Sequence, residues 1–398
     1  MKASHHFHLI LLTTLIFLVG YLGFPTSLIA QAPTVLPEKT ISSVDSVEFA
    51  FLPALAYNSD FGLIGGGILS RYHYRDNQRP FYSYMIVNAI ASTKGLISSS
   101  IFYDKPNVFN SNQRLTSEGY VARFLQNQYF GIGNYDKLEK EPEGIPDFYL
   151  YNSFSTGFEF ILRRPLIVYI NNAQLDVFGV INFDYRTPWG NDSDRLITVD
   201  QPAGIKGART AALGTGLIWE NRNNEFAPTQ GSYAKAGIEI GQKLYGSSSN
   251  YLIFNSEARA YTSFQMIRQI TFANRISFDH TSGSMPYWKL AELGGEVSMR
   301  GYPENRFRDD NALFINTELR TWLWEFPEVD VRLGGTLFMD IGRTFPTGMA
   351  LSNVFSDLNY TYGFGANSSF FNENFIFRGD IGFSDEGYGI YFTAGYMF

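Results

Sequence analysis

The residues able to do chemistry are few, and their spacing argues against catalysis. The 398-residue chain has no cysteine, which excludes thiolate nucleophiles, disulfides and thiolate metal sites. Three of its five histidines (His5, His6, His8) crowd the first eight residues, leaving His73 and His280 far apart. No H-E-x-x-H zinc pattern and no G-x-S-x-G nucleophile elbow occurs. His280 near Ser282 could begin a hydrolase constellation, but a lone histidine at a strand end more often sits at an interface. Glu139, Glu141 and Glu143 could hold a divalent cation, although a solvated loop explains them more simply. The sequence therefore predicts no enzyme, no metal and no cofactor. One charged feature is left: Arg300, followed by Gly301 and Tyr302, with Asn316, Glu318 and Arg320 and then Arg332, Thr336 and Asp340 at alternating positions downstream. A guanidinium fork can span two carboxylates, which is binding chemistry rather than catalysis.

The elements that must position these residues are strands. Aromatic residues make up 17% of the chain and charged residues only 17%, against about 25% charged in an ordinary domain. Such a chain has ample apolar surface to bury, so disorder is excluded. Past the first thirty residues no run of about 18 apolar residues appears, which excludes a polytopic helical membrane protein. The net charge of −7 makes nucleic acid an unsuitable partner. Period-two alternation recurs instead. Ala234, Ala236, Ile238 and Ile240 point one way, with Lys235 and Glu239 opposite; Leu333, Leu337 and Met339 alternate with Arg332, Thr336 and Asp340. Phe375, Phe377, Ile381 and Phe383 share a face, with Arg378, Asp380 and Ser384 on the other.

Segment length separates a soluble sandwich from a membrane barrel. Strands of soluble sheets are mostly about five or six residues long, whereas a tilted strand crossing a bilayer needs about 9–11. Sixteen segments of the longer kind are expected: 48–57, 62–74, 81–92, 96–105, 113–126, 148–162, 174–186, 207–220, 231–242, 251–262, 268–280, 312–323, 330–341, 358–368, 374–384 and 389–398. An even count suits an all-β, sixteen-stranded antiparallel transmembrane β-barrel of the outer membrane. Aromatics such as Tyr72, Tyr74, Phe81, Tyr82, Trp219 and Trp322 fall near segment ends, where an interfacial girdle is expected. Long connections (127–147, 187–206, 281–311, 342–357) alternate with shorter ones, the external-loop and periplasmic-turn pattern.

The two ends agree with that solvent. Lys2 precedes an apolar stretch from Leu9 to Phe24, Pro25 ends it, and small residues follow around Ala30 and Ala32. Residues 1–30 read as a secretory signal peptide, and 31–47 as a short periplasmic lead before a barrel spanning 48–398. At the other end Ile390, Phe392, Ala394, Tyr396 and Phe398 alternate along one face. This ending resembles the C-terminal signal by which outer-membrane barrels are recognised for insertion, with Phe392, Tyr396 and Phe398 as its aromatic positions.

Three further stretches carry a family resemblance. Pro53 to Gly62 looks like a first barrel hairpin. Asn221 to Tyr233 looks like a "D-x-R-D-x-x-x-x-P-x-x-G" connection, with Asn221 and Asn224 at its acidic positions. Leu293-Gly294-Gly295-Glu296-Val297-Ser298-Met299-Arg300-Gly301-Tyr302, followed by Asn316 to Arg320 and Leu337 to Gly342, is the most specific. These resemble the bacterial surface antigen family: the barrels of the BamA and TamA outer-membrane assembly proteins and their two-partner-secretion relatives. The resemblance covers roughly 49–398.

The resemblance implies that the loop 281–311 folds back into the lumen, with the Arg300-Gly301-Tyr302 tip locked where Arg300 binds Glu318 and Asp340. It implies a non-catalytic role in inserting or translocating proteins or lipids; a passive pore and a structural or adhesive surface protein are the alternatives. Assembly members of that family carry periplasmic POTRA modules, and the short lead leaves no room for one. The expectation is a barrel-only member. Its partners would be outer-membrane lipid and periplasmic or outer-membrane proteins that supply the missing periplasmic domains.

Overall fold

A computed structural model describes residues 45–75, 81–109, 111–133, 141–169, 173–190, 192–370 and 376–398. The expected signal peptide, lead residues 31–44, Glu139 and Phe375 lie outside the described residues.

Alternation of apolar and polar side chains lets one face of a strand contact lipid while the other lines the lumen. The strands that do so are β1 (Ser46–Asn58), β2 (Gly62–Tyr74), β3 (Ser83–Ser92), β4 (Leu96–Val108), β5 (Gln113–Gln128) and β6 (Leu150–Val168). They continue with β7 (Gln174–Pro188), β8 (Ala208–Glu220), β9 (Gly231–Gly241), β10 (Tyr251–Gln265) and β11 (Gln269–Gly283). Two short strands, β12 (Ala291–Leu293) and β13 (Phe307–Asp309), precede β14 (Asn311–Phe326), β15 (Val331–Phe345), β16 (Asn359–Phe370), β17 (Ile376–Phe383) and β18 (Tyr388–Ala394). All except β12 and β13 close into one antiparallel barrel, in which β11 pairs directly with β14 and β18 returns to β1. Sixteen strands therefore form the wall, and the two short ones pair inside it.

The faces divide by solvent. On β15, Leu333, Leu337 and Met339 are exposed while Thr336 and Asp340 are buried. On β14, Ile315 and Leu319 are exposed and Asn316, Glu318 and Arg320 are buried. In water this inversion would leave an apolar belt far larger than a soluble protein tolerates; in a bilayer it is the favourable arrangement. Among the described residues no helix is long and apolar enough to cross a membrane.

Two expectations about aromatic side chains need correction. Tyr72, Tyr74 and Phe81 do not form an outward girdle. They pack on Tyr84 and Phe102, on the face that also carries the buried Asn88 and Asp104, so burial against one another wins over the interface. The second correction concerns the last strand. β18 stops at Ala394, and Gly395, at φ +80°, turns the chain inward. Phe392 stays exposed on the outer face while Tyr396 and Phe398 are buried, so the three do not share a face. The turn 221–230 is held by its asparagines: Asn224 Oδ1 accepts from the Phe226 and Ala227 amides at 2.8 and 3.0 Å. An amide oxygen there does the acceptor's work of an aspartate.

Candidate functional site

The connection from β11 to β14 runs into the barrel. Its hairpin pairs Ala291 with Asp309 and Leu293 with Phe307, and it carries its own small core of Leu293, Met299, Tyr302 and Phe307 against Ala312 and Phe314. The tip is tightly wound. Ser298 Oγ donates to the Gly294 carbonyl at 2.9 Å, and the Gly295 amide donates to the Tyr302 carbonyl at 3.1 Å. Gly301 sits at φ +107°, and a Cβ there would lie 2.9–3.0 Å from the backbone of Gly382 and Phe383. Only glycine allows this contact between loop and β17.

That close approach delivers Arg300 into a ring of carboxylates. Its Nε and Nη2 donate to Asp340 Oδ2 and Oδ1 at 2.9 and 2.8 Å. Its Nη1 donates to Glu318 Oε1 at 2.6 Å and to Asp380 Oδ2 at 3.1 Å. The guanidinium carbon lies 3.4 Å from the centre of the Phe338 ring. Arg300, Glu318 and Asp340 have no exposed surface. Three strands, β14, β15 and β17, thus each present one carboxylate to one arginine. Burying such charges is tolerable only when every member has a partner, and the surroundings supply them. Arg320 Nε pairs with Glu318 at 2.7 Å, Arg378 lies 3.0 Å from Asp380, and Asn316 Nδ2 donates to Asp340 Oδ1 at 2.8 Å. Arg275 reaches in from β11, donating to Asn316 Oδ1 at 2.9 Å and to the Val297 carbonyl.

The same tip touches the closure of the barrel. β1 pairs with β2 over its whole length, from Ser46↔Tyr74 to Asn58↔Gly62, but meets β18 only at Asn58↔Tyr391. The join is completed by Ser59: its amide donates to the Ile390 carbonyl at 3.0 Å and its Oγ accepts from the Ile390 amide at 2.8 Å. Below this point the inward turn at Gly395 draws the chain away from β1. Arg320 Nη2 holds the Phe398 carbonyl at 2.9 Å, and its guanidinium lies 4.1 and 4.9 Å from the Tyr396 and Phe398 ring centres.

Known proteins resemble this chain in sequence pattern and in fold. The Omp85 superfamily domain matches residues 144–398. The chain belongs to the Omp85 superfamily. No curated protein sequence matches it. Among solved structures, BamA from Haemophilus ducreyi lacking POTRA domains 1–3 is similar at 13% identity and a TM-score of 0.60, covering 88% of this chain and 70% of that one. CdiB from Acinetobacter baumannii is similar at 14% identity and a TM-score of 0.54, covering 89% of this chain and 66% of that one. CdiB from Escherichia coli gives 12% and 0.59, covering 89% and 64%. At these identities the likeness is one of fold.

In this Omp85 barrel several residues of the site escaped sequence reasoning. Asp380 alternates with the apolar residues of its strand, but its meeting with Arg300 spans 80 positions, and nothing local announces it. The seam is equally silent, because β1 reads like any other strand. The other residues singled out by type go elsewhere. His280 Nδ1 meets Asn311 Oδ1 at 2.7 Å, and His73 meets Asp45. Between loop and the β5–β11 wall a cavity of about 450 Å³ remains, lined among others by Glu118, Glu159, Lys235, Glu239, Glu257 and Arg259.

Proposed function

We propose that this Omp85 barrel inserts or translocates polypeptide or lipid at the outer membrane by parting β1 from β18. The observation that carries the reading is the seam, where one register pair closes the barrel. Backbone groups facing lipid without partners cost several kcal/mol each, so a short seam is an edge held ready for another strand. An extended segment added to β1 would gain main-chain hydrogen bonds there. On this reading Arg300, Gly301 and Tyr302 form a lock with Glu318 and Asp340 that keeps the loop seated while the seam works. The aromatic C-terminal positions Phe392, Tyr396 and Phe398 serve the barrel's own insertion. Outer-membrane lipid is the surrounding partner, with periplasmic or outer-membrane proteins working beside the barrel.

The experiment is a seam trap. The chain has no cysteine, so Tyr57→Cys with Phe392→Cys introduces the only thiols, next to the Asn58↔Tyr391 pair. The oxidised barrel is expected to lose insertion of an unfolded outer-membrane protein into liposomes and to regain it on reduction. Full activity in the oxidised form sinks the reading.

A second reading, a passive pore, draws on the cavity beside the loop. Steady conductance through the seam-trapped barrel, unaffected by reduction, favours it.

A further inference from the structure

The loop tip bridges the seam, and its two attachments differ in chemistry. Toward β17 and β18 it is tied by Arg300 to Asp380 and by the Gly301 amide donating to the Tyr391 hydroxyl at 3.1 Å. Ser384 Oγ donates to the Gly301 carbonyl at 3.0 Å, Tyr302 Oη donates to Asp385 at 2.6 Å, and Arg306 pairs with Glu386 at 2.5 Å. Toward β1 and the turn after it, two hydrogen bonds among the described residues hold the tip, both made by carboxyl groups. Asn58 Nδ2 donates to Glu296 Oε2 at 3.0 Å, and the Glu304 amide donates to Asp60 Oδ1 at 3.0 Å.

Asp60 and Glu296 are buried and Glu304 is half-buried; the Asn58 amide joins the first two, with the Asp60 amide on its oxygen at 2.7 Å and Glu296 on its nitrogen, and Glu304 lies beside both. The nearby cations are engaged elsewhere. Lys94 Nζ donates to the Ser59 carbonyl at 2.6 Å, Arg378 pairs with Asp380 and Glu318, and Arg186 has the Asp184 carboxylate beside it and lies 5.6 Å from the Trp288 ring centre. Asp380, Glu292 and Tyr391 complete the surroundings and add no positive charge.

We propose that this contact is a protonation-controlled latch: with protonated carboxyls the loop tip spans the seam, and on their ionisation it parts from the β1–β2 turn while staying on β17 and β18. Burial pushes Asp60 up to about 6, against the pull of the Glu304 amide and Lys94. Burial, with Asp60 and Asp380 beside it, pushes Glu296 up to about 8 despite Arg378 and Asn58. Burial and the Asp60, Glu296 and Glu292 carboxyls push Glu304 upward too. Carboxyls raised in the latched form stabilise it while they keep their protons. That stabilisation is complete at and below the ordinary carboxyl range and is lost as pH rises through the raised values. The device is independent of what the seam passes.

Spin labels on introduced cysteines test it, in the full chain in liposomes. Pro303 on the loop is paired with Leu63 on β2, and separately with Tyr388 on β18. From about pH 5 to about pH 9 the Pro303–Leu63 distance is expected to lengthen while Pro303–Tyr388 stays put. Glu296→Gln with Glu304→Gln keeps the hydrogen-bonding shape without the charge, and is expected to hold the short distance through the whole range. A Pro303–Leu63 distance that ignores pH, a pH response unchanged in the glutamine variant, or a loop that leaves both partners together overturns the latch.

Discussion

The loop tip rests on two walls built differently. The β14–β17 wall gives it three fully buried carboxylates around one guanidinium, supported by Arg320, Arg378 and Asn316. The β1–β2 side gives it two hydrogen bonds through carboxyl groups, whose nearest cations, Lys94 and Arg378, donate to or pair with other groups. The strands behave alike: β14 and β15 are paired from Asn311↔Phe345 to Phe326↔Val331 with one bulge, whereas β1 and β18 share one pair. The difference teaches where the barrel can open. Buried, paired charge is costly to separate; an edge closed by one register pair and two hydrogen bonds is less so.

The largest effect should come from removing the centre of the strong wall. Arg300→Ala strands Glu318, Asp340 and Asp380 without their shared cation. Because these groups are buried, the cost is expected at about 3–5 kcal/mol. Heat resistance of the folded barrel on cold gels should fall, and the loop should become protease-sensitive. Arg300→Lys should restore only part of this, since an ammonium cannot act as a fork. A double-mutant cycle with Asp340 decides it: strictly additive effects would mean that the two are not energetically coupled.

A smaller effect should come from strengthening the weak side. Gly395→Ala puts a Cβ on a residue at φ +80°, a penalty of about 1–2 kcal/mol against the inward turn. The end of β18 should then swing toward β1, and amide exchange at Leu55 to Asn58 should slow. Unchanged exchange would mean that something other than the turn keeps the seam short. The smallest effect should be at the rim, where Arg332 and Glu325 lie 3.7 Å apart and both are more than a third exposed. Arg332→Ala is expected to cost less than about 1 kcal/mol in the same gel assay; a loss as large as that of Arg300→Ala would erase the contrast between buried and exposed charge.

The sequence by itself determined the wall and the residues facing inward. Period-two alternation against lipid is a local property, so β2, read as 62–74, is found at Gly62–Tyr74, and β9, read as 231–242, ends one residue earlier at Gly241. Asp340 and Asp380 alternate with the apolar residues of their strands, and parity along a strand decides the side. Local parity misled where a single glycine interrupts it: the alternation Phe392, Ala394, Tyr396, Phe398 runs unbroken through Gly395, yet the backbone turns there. The hairpin β12–β13 was missed because three-residue strands carry too little periodicity to read. Only the tertiary structure decided that Arg300 also meets Asp380, how far β1 pairs with β18, and that Glu304 comes beside Asp60 and Glu296. Each of those depends on where barrel closure brings residues tens to hundreds of positions apart, and no local pattern of side chains encodes that distance.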